Sequence, residues 1–352
     1  MQPRAMENER AKMEELNDLR HLPPVSVWVA ARNEEKNLHA CLQHLVAQDY
    51  AGQWEVRIAD DGSQDSTFRI AAEFSAQYLH FHALRVPTRT TFQTRGKALA
   101  MGLLAQESAG EIYLFCDADM CMPPNWIGSM VHAMQTMRAD LINGTTCTNG
   151  RTFFSALQAI DWLLPQATFS WLSRLDITYT AMGNNMGISK KAYWATGGYL
   201  QLPFSITEDF ELFRHARLKG YRLIHHYDFS VLGISEPEHS WSEWLQQHIR
   251  WMVGFMQLPL SQRWIFYIQL LLYPLIFSSG FLFPEPVWQT AWGLFGLKLL
   301  YEGWMLSRVK QFHLLPYLPV YQLIWWPFYM ACLLGYHLAG QISWKGRLWD
   351  KG

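Results

Sequence analysis

Residues 112–120 read Ile112-Tyr113-Leu114-Phe115-Cys116-Asp117-Ala118-Asp119-Met120. An apolar run long enough for a buried strand ends in two carboxylates separated by one small residue. A continuous apolar run with polar ends fits a strand covered on both faces, as in a parallel sheet. Two like charges at the end of such a strand repel, and are costly unless a cation joins them. Two explanations fit. One is a solvated turn with a helix start after Pro123-Pro124. The other is a bound cation with a phosphate attached.

The pattern recurs upstream. Val25–Ala30 is a β-rich run that leads into Ala31-Arg32-Asn33-Glu34. A helical pattern over Asn33–Ala47 follows, with Leu38, Cys41, Leu42 and Leu45 on one face. Trp54–Ala59 is the next strand and runs into Asp60-Asp61-Gly62-Ser63, ahead of a helix over Asp65–Phe74 capped by Asp65 or Ser66. A weak strand near His82–Val86, helices over Lys97–Glu107 and Asn125–Met137, and a strand over Asp140–Cys147 continue the alternation. Such a chain is α/β, with a mainly parallel, Rossmann-like sheet and helices on both faces. Ligands of these sheets bind outside the carboxyl ends of the strands. The three polar clusters fall at those ends. Neither GxGxxG nor GxxxxGK[ST] occurs, so a dinucleotide fingerprint and a P-loop have no support.

Composition narrows the class further. The 352 residues suit one large domain or two smaller ones, and a net charge of -1 gives no pull toward nucleic acid. Cysteines 41, 116, 121, 147 and 332 form no CxxC, which fits a reducing compartment and offers no zinc site. His225-His226 and Cys116/Cys121 have no partners at zinc spacing and read as structural. Segment 1–23 is charged and lacks an apolar core, so it reads as a short helix ending before Pro23-Pro24 and not as a signal peptide. Phe153–Leu175 is apolar and aromatic but contains Asp161 and Pro165. It reads as an interfacial helix pair or as a buried core helix.

Beyond about residue 260 the character changes. Trp264–Phe283 is uncharged, Val287–Leu306 carries Lys298 and Glu302 four apart on one helical face, and Leu314–Leu338 is interrupted by Pro316, Pro319 and Pro327. A helix of roughly 20 apolar residues crosses roughly 30 Å of hydrocarbon. Trp and Tyr crowd the segment ends, as at membrane interfaces. The expectation is two to three spans within 261–341 and a tail at 342–352, with a very apolar soluble helical domain as the alternative. If residues 1–260 are cytoplasmic, the loop Ser307–His313 with Arg308 and Lys310 is cytoplasmic too, as positive charge favours. A third span would then place Lys345, Arg347 and Lys351 outside, unless that segment is re-entrant or interfacial.

Six motifs, ARNEE at 31–35, DDGSQDST at 60–67, RGKALA at 95–100, CDADM at 116–120, TED at 207–209 and QHIRW at 247–251, resemble in kind and order those of family 2 glycosyltransferases with the GT-A fold. The likeness is closer to membrane-bound members carrying Q-x-x-R-W, such as cellulose, hyaluronan and ceramide glucosyl transferases. It covers roughly residues 24–255. The implied layout is a GT-A domain over 24–240, an amphipathic interfacial helix with QxxRW over 241–260, and then the membrane helices.

The resemblance implies a role for each motif. Asp119 holds Mg²⁺ or Mn²⁺, and Asp117 meets the same metal or a ribose hydroxyl; such hard cations favour carboxylate and phosphate oxygen. Ala31, Glu34, Asp60 and Asp61 read the nucleotide base and ribose. An Asp-Gly turn is the ordinary alternative for the last two. Lys97 lies near the pyrophosphate, although a cation at a helix start opposes the dipole; otherwise it is a solvated lysine. Asp209 is the base that takes the acceptor's proton, and Glu208 shapes the acceptor pocket. A helix start capped by Thr207 or Ser205 explains the same residues structurally. Gln247, Arg250 and Trp251 share one helical face and meet the donor, Arg250 by bidentate contact with phosphate; a basic-aromatic interfacial helix is the competitor.

The activity implied is an inverting, metal-dependent transfer of one sugar from a nucleotide-sugar, a UDP-hexose, to a membrane lipid hydroxyl. Two or three spans do not enclose a polar conduit for a growing polymer, which leaves a processive polysaccharide synthase as the runner-up. A non-catalytic sugar-nucleotide-binding scaffold and a nucleotidyltransferase are further alternatives, but neither needs a TED base. The implied location is the plasma membrane of a bacterium, with the catalytic domain cytoplasmic. No nucleic-acid partner is expected, and the sequence does not give the oligomeric state.

Overall fold

Strands β1 (Val25–Ala31), β2 (Trp54–Asp60), β3 (Phe81–Arg85) and β4 (Ile112–Cys116) pair side by side in the order β3-β2-β1-β4, all parallel. The computed structural model describes residues 22–87, 91–178, 180–344 and 347–350. The crossovers are helices α1 (Leu38–Val46), α2 (Thr67–Gln77) and α3 (Lys97–Glu107). All five residues of β4 are buried because the sheet is covered on both faces. Ile112, Leu114 and Cys116 face one core with Val25, Val27 and Val29, against α1 and α2. Tyr113 and Phe115 face the other with Trp28, against α3. Trp28 stacks on Tyr113 and Phe115 with ring centroids 4.4 and 5.0 Å apart. Its indole N–H donates to Ser108 Oγ at 2.6 Å, so its one polar atom is satisfied.

Register then sets the site. Ala31 of β1 lies opposite Asp60 of β2, so the polar clusters open on the same edge of the sheet. Helix α1 starts at Leu38, later than the periodicity suggests, because Asn33 turns the chain with φ of 53°. Helix α2 starts at Thr67, whose N–H donates to Asp65 Oδ1 at 3.0 Å.

Beyond β4 come β5 (Met120–Cys121), α4 (Trp126–Thr136), β6 (Leu141–Asn143), β7 (Thr145–Thr148), α5 (Phe153–Arg174), β8 (Asn185–Ser189), α6 (Lys190–Ala195), α7 (Glu208–Leu218), β9 (Leu223–His225) and β10 (Leu232–Ser235). The large sheet continues β4-β8-β6-β9, with β8 antiparallel to both neighbours. A small sheet forms in the order β5-β10-β7. The strand expected over Asp140–Cys147 is therefore two strands in two sheets. They part at Gly144, where a Cβ would lie 2.4 Å from Asn185 Oδ1. Asn185 is fully buried and joins the layers. Its amide donates to the carbonyls of Thr145 and Val231 at 2.8 and 2.9 Å, and its Oδ1 accepts from Trp126 Nε1 at 2.9 Å.

Phe153–Leu175 forms one helix, not a pair. Thr152 and Ser155 close its start as a capping box, and Pro165 stays inside it. Helices α8 (Trp241–Met256), α9 (Leu260–Leu282), α10 (Glu285–Arg308) and α11 (Leu318–Leu338) follow, a 3-10 turn at Phe312–Tyr317 preceding the last. With α5 they bury a third core that includes Leu157, Trp244, Leu306 and Cys332. Among the described residues, one helix, Leu260–Leu282 with mean hydropathy 1.7, is long and apolar enough to cross a membrane. The other two expected spans are helical but fall short of that hydropathy. One carries Lys298 and Glu302, and the other is rich in Trp, Tyr and Pro. Residues of the expected tail form an antiparallel hairpin, Gln341–Trp344 with Arg347–Asp350. The helix expected in segment 1–23 lies, apart from Leu22 and Pro23, outside the described residues.

Asn185→Ala should lower stability by about 3 kcal/mol, because it orphans three buried groups. Thermal unfolding in detergent measures it, and a loss below about 1 kcal/mol would contradict the role given to Asn185.

Candidate active site

The strand ends, α7 and α8 converge on one cavity of about 1230 Å³. Ala31, Glu34, Asp61, Lys97, Asp117, Asp119, Glu208, Asp209, Gln247, Arg250 and Trp251 all line it. Asp60 does not. It is buried, and its carboxylate accepts the Ser63 N–H at 3.3 and 3.4 Å, which makes it the pin of the Asp60–Ser63 turn. Beside it, Arg32 Nη1 donates to the Asp61 carbonyl at 2.6 Å and lies 3.6 Å from the Asp61 carboxylate. Glu34 is held by its own N–H, which donates to Thr67 Oγ1 at 2.8 Å, and by Asn37 Nδ2 at 3.1 Å from its Oε2.

Lys97 is no solvated lysine. Its Nζ lies 2.5 Å from Asp117 Oδ1 and 3.5 Å from Glu208 Oε1. Burial alone would pull this ammonium down; Asp117 and Glu208 more than offset that and hold it above the ordinary lysine value. Burial pushes the Glu208 carboxyl up, Lys97 pulls it down, and Asp209 pushes it up again, which leaves it above the ordinary glutamate value. The unfavourable position of a cation at the start of α3 is thus offset by two carboxylates brought in from β4 and α7.

Asp209 sits in the first turn of α7 with Glu208 and Glu211, where acids suit the helix dipole. The expected cap differs. Thr207 holds the cap position without a side-chain cap bond, and Ser205 Oγ accepts the Thr207 N–H at 3.1 Å. Asp209 Oδ2 accepts the Gly183 N–H at 2.7 Å, and Oδ1 accepts the N–H of Phe210 at 2.8 Å. A Cβ on Gly183 would lie 3.0 Å from Asp209 Cβ, a tight contact that glycine avoids where the backbone approaches the carboxylate.

Asp119 Oδ2 accepts from Ser235 Oγ at 3.0 Å, which ties the carboxylate pair to the small sheet. The register of β10 on β5 brings the following residues Glu236, Glu238 and His239 to the cavity wall. Burial, with Glu243 next in effect, pushes the Glu238 carboxyl up, and Glu238 Oε1 accepts from Gln247 Nε2 at 2.7 Å. Trp251 packs edge-on against Trp162 at 4.9 Å. Two acceptors in the wall, Asn184 Oδ1 and Gln247 Oε1, are buried without a hydrogen-bond partner among the described residues. Sequence reasoning missed Gly183, Asn184 and the Glu236–His239 segment. The last was legible as a fourth polar cluster after a strand.

Divalent cation binding can be tested against these donors. Among the described residues no three His, Cys, Asp or Glu side chains gather into a ligand cluster. Asp117 and Asp119 supply hard oxygen, with one Asp117 oxygen already engaged by Lys97. That set fits Mg²⁺ or Mn²⁺, which keep waters and take the remaining ligands from substrate phosphates.

Two family models match the chain. Glycosyl transferase family 2 matches residues 26–197, and glycosyl transferase family group 2 matches residues 112–338, more than half of the chain and through α8 to α11. The chain is 32% identical over 135 residues to glycosyltransferase AglE of Haloferax volcanii, covering 37% of this chain and 43% of that protein. It is 26% identical over 254 residues to probable glycosyltransferase YdaM of Bacillus subtilis, covering 67% and 56%. It is 39% identical over 99 residues to beta-monoglucosyldiacylglycerol synthase of Trichormus variabilis, covering 28% and 20%. The chain thus spans from a fifth to little more than half the length of these relatives. Mannosyltransferase PcManGT from Pyrobaculum calidifontis, solved with GDP-Man and Mn²⁺, matches with a TM-score of 0.52 at 18% identity, over 91% of this chain and 94% of that one. That is a likeness of fold.

Lys97→Met should destabilise the protein by roughly 2–3 kcal/mol at neutral pH, discounted for partial exposure of the cluster. Without Lys97, Glu208 titrates still further above its unfolded value of about 4.3, so the native state binds more protons there and loses stability as pH rises. The deficit in Tm against the parent protein should therefore be larger at pH 8 than at pH 5; an equal deficit at both would contradict the charge balance described.

Proposed function

The chain belongs to the family 2 glycosyltransferases, and we propose that it transfers one sugar from a nucleoside diphosphate sugar, a UDP-hexose, to a hydroxyl of a membrane lipid, with inversion. One observation carries this reading. A single cavity is lined both by the carboxylates and Arg250 and by Phe266, Trp325 and Tyr329 of the C-terminal helices. Its volume of about 1230 Å³ exceeds the roughly 300–1,000 Å³ of ordinary ligand pockets and leaves room for a second, amphipathic substrate. Apolar side chains such as Leu271, Leu275, Phe281, Leu294, Leu297 and Leu323 are exposed on α9, α10 and α11, which supports contact of these helices with a bilayer. The relative named as a glucosyldiacylglycerol synthase supports a lipid acceptor.

The donor's base and ribose lie against Ala31, Glu34 and Asp61, while Asp60 braces their turn. Its diphosphate lies between Lys97 and Arg250, with Gln247 and Asn184 offering acceptors to sugar hydroxyls. Asp119 and Asp117 hold Mg²⁺ or Mn²⁺, which when bound offsets charge on the departing diphosphate. The acceptor hydroxyl attacks the anomeric carbon from the side opposite the diphosphate. Its proton goes to Asp209, a new C–O bond forms, and the bond from carbon to the diphosphate oxygen breaks. The N–H groups of Gly183 and Phe210 orient Asp209 for that transfer. Glu208, between Lys97 and Asp209, shapes the acceptor side. The catalytic domain faces the cytoplasm, where nucleotide-sugars are made, and α9 crosses or enters the bacterial plasma membrane.

The test is UDP release by detergent-purified protein given Mn²⁺ or Mg²⁺, a panel of UDP-sugars and a membrane-lipid extract. Metal-dependent release with one new glycolipid is expected. A ladder of products would favour a polysaccharide synthase, and tight UDP binding without release would favour a scaffold. Asp209→Asn should keep UDP affinity and lower turnover by about 10²–10⁴-fold. Asp119→Ala should abolish the increase in UDP affinity caused by Mn²⁺, and an unchanged increase would sink the metal assignment.

A further inference from the structure

Asp161 is a buried carboxylate that none of the motifs explains. It lies on α5 and collects groups from two other helices. His248 Nε2 of α8 is 2.7 Å from its Oδ2. Tyr321 and Tyr329 of α11 donate to its Oδ1 at 2.7 and 3.0 Å. The protons can be counted. His248 Nδ1 is 2.9 Å from the carbonyl oxygen of Trp244, which only accepts, so Nδ1 carries hydrogen. Nε2 faces a carboxyl oxygen, so one further proton lies between the two groups. Whether it rides on the imidazole or on the carboxyl, the pair is neutral as a whole, as burial requires.

His248 is the second residue of Gln247-His248-Ile249-Arg250-Trp251. The residue after Asp161, Trp162, packs on Trp251, whose ring is in turn 4.6 Å from that of His248. From the other side, Phe328 of α11 stacks on Trp244 of α8 at 4.0 Å. Helix α8 is therefore gripped from two directions around one buried proton. A helix turns by about 100° per residue, so holding His248 fixes where Gln247 and Arg250 point.

We propose that Asp161 is a positioning residue for donor binding: it sets α8 about its axis so that Arg250 faces the nucleotide diphosphate and Gln247 the donor sugar, and it couples that setting to α11. The proposal rests on the reading that Arg250 meets the diphosphate. It gives α11 a part in catalysis besides anchorage.

Binding of UDP and of uridine to the full-length protein in detergent tests it, with GDP and guanosine as the pair if those bind instead. Asp161→Val removes every acceptor at nearly constant volume and should weaken UDP by about ten-fold while changing uridine by less than about two-fold. Asp161→Asn can donate to His248 Nε2 and accept from both tyrosines, so it should restore UDP affinity to within about three-fold. The double variant Tyr321→Phe/Tyr329→Phe keeps the rings and should weaken UDP by about three-fold; it decides the matter if Asp161→Val does not fold. Arg250→Ala is the control for the underlying reading. If it leaves UDP affinity unchanged, the diphosphate assignment fails. If it weakens UDP while the Asp161 or tyrosine variants do not, or if these lower UDP and uridine together, the positioning role is overturned.

Discussion

One ammonium among carboxylates governs the geometry of this molecule. Asp117 comes off the end of β4, and Glu208 and Asp209 open α7. Brought together without a cation they would repel and take up protons. Lys97, 2.5 Å from Asp117 and 3.5 Å from Glu208, lets the sheet end and the helix start approach. It also sets a cation among the carboxylates of the cavity wall, which suits the diphosphate and divalent ion proposed to share it. Asp119 and Asp209 line the same cavity.

The rest of the architecture joins an apolar wall to a polar site. The parallel half of the sheet presents the side proposed for the nucleotide, and β10 closes it by pairing with β5 just after the carboxylates. Helix α5 then runs from the small sheet into the C-terminal helices, and Trp162, Pro165 and Phe169 along it line the cavity. Two buried carboxylates on this route are paired: Asp161 is met by His248 and two tyrosines, and Glu302 by Lys298 and Gln322. Burial without such pairing would cost several kcal/mol each.

Much of this was legible in the sequence. Strand ends rich in Asp after apolar runs place a site with little ambiguity, because a parallel sheet brings successive carboxyl ends to one edge. Periodicity read Lys97–Glu107 to its observed limits and α1 within a few residues. What failed was information held in pairs distant along the chain. The break at Gly144 depends on Asn185 and the glycine at 183 on Asp209, whereas the local turn role of Asp60 was the alternative the sequence already offered. Asp161 looked like an interruption in an apolar helix; its meaning depends on residues 87, 160 and 168 positions away. The C-terminal helices form where hydrophobicity said, but among the described residues one of them has the composition of a span.

In the proposed reaction, lipid reaches Asp209 through the cavity between α5, α8 and the C-terminal helices. Photo-crosslinking tests it most directly: diazirine-bearing membrane lipid is activated on the purified protein, and the labelled peptides are mapped. Labels are expected on the cavity-lining Trp162–Leu172 and Trp251–Phe266 segments, and are lost when excess unlabelled lipid competes. Labels confined to the outward leucines of α9 and α10 would contradict this route.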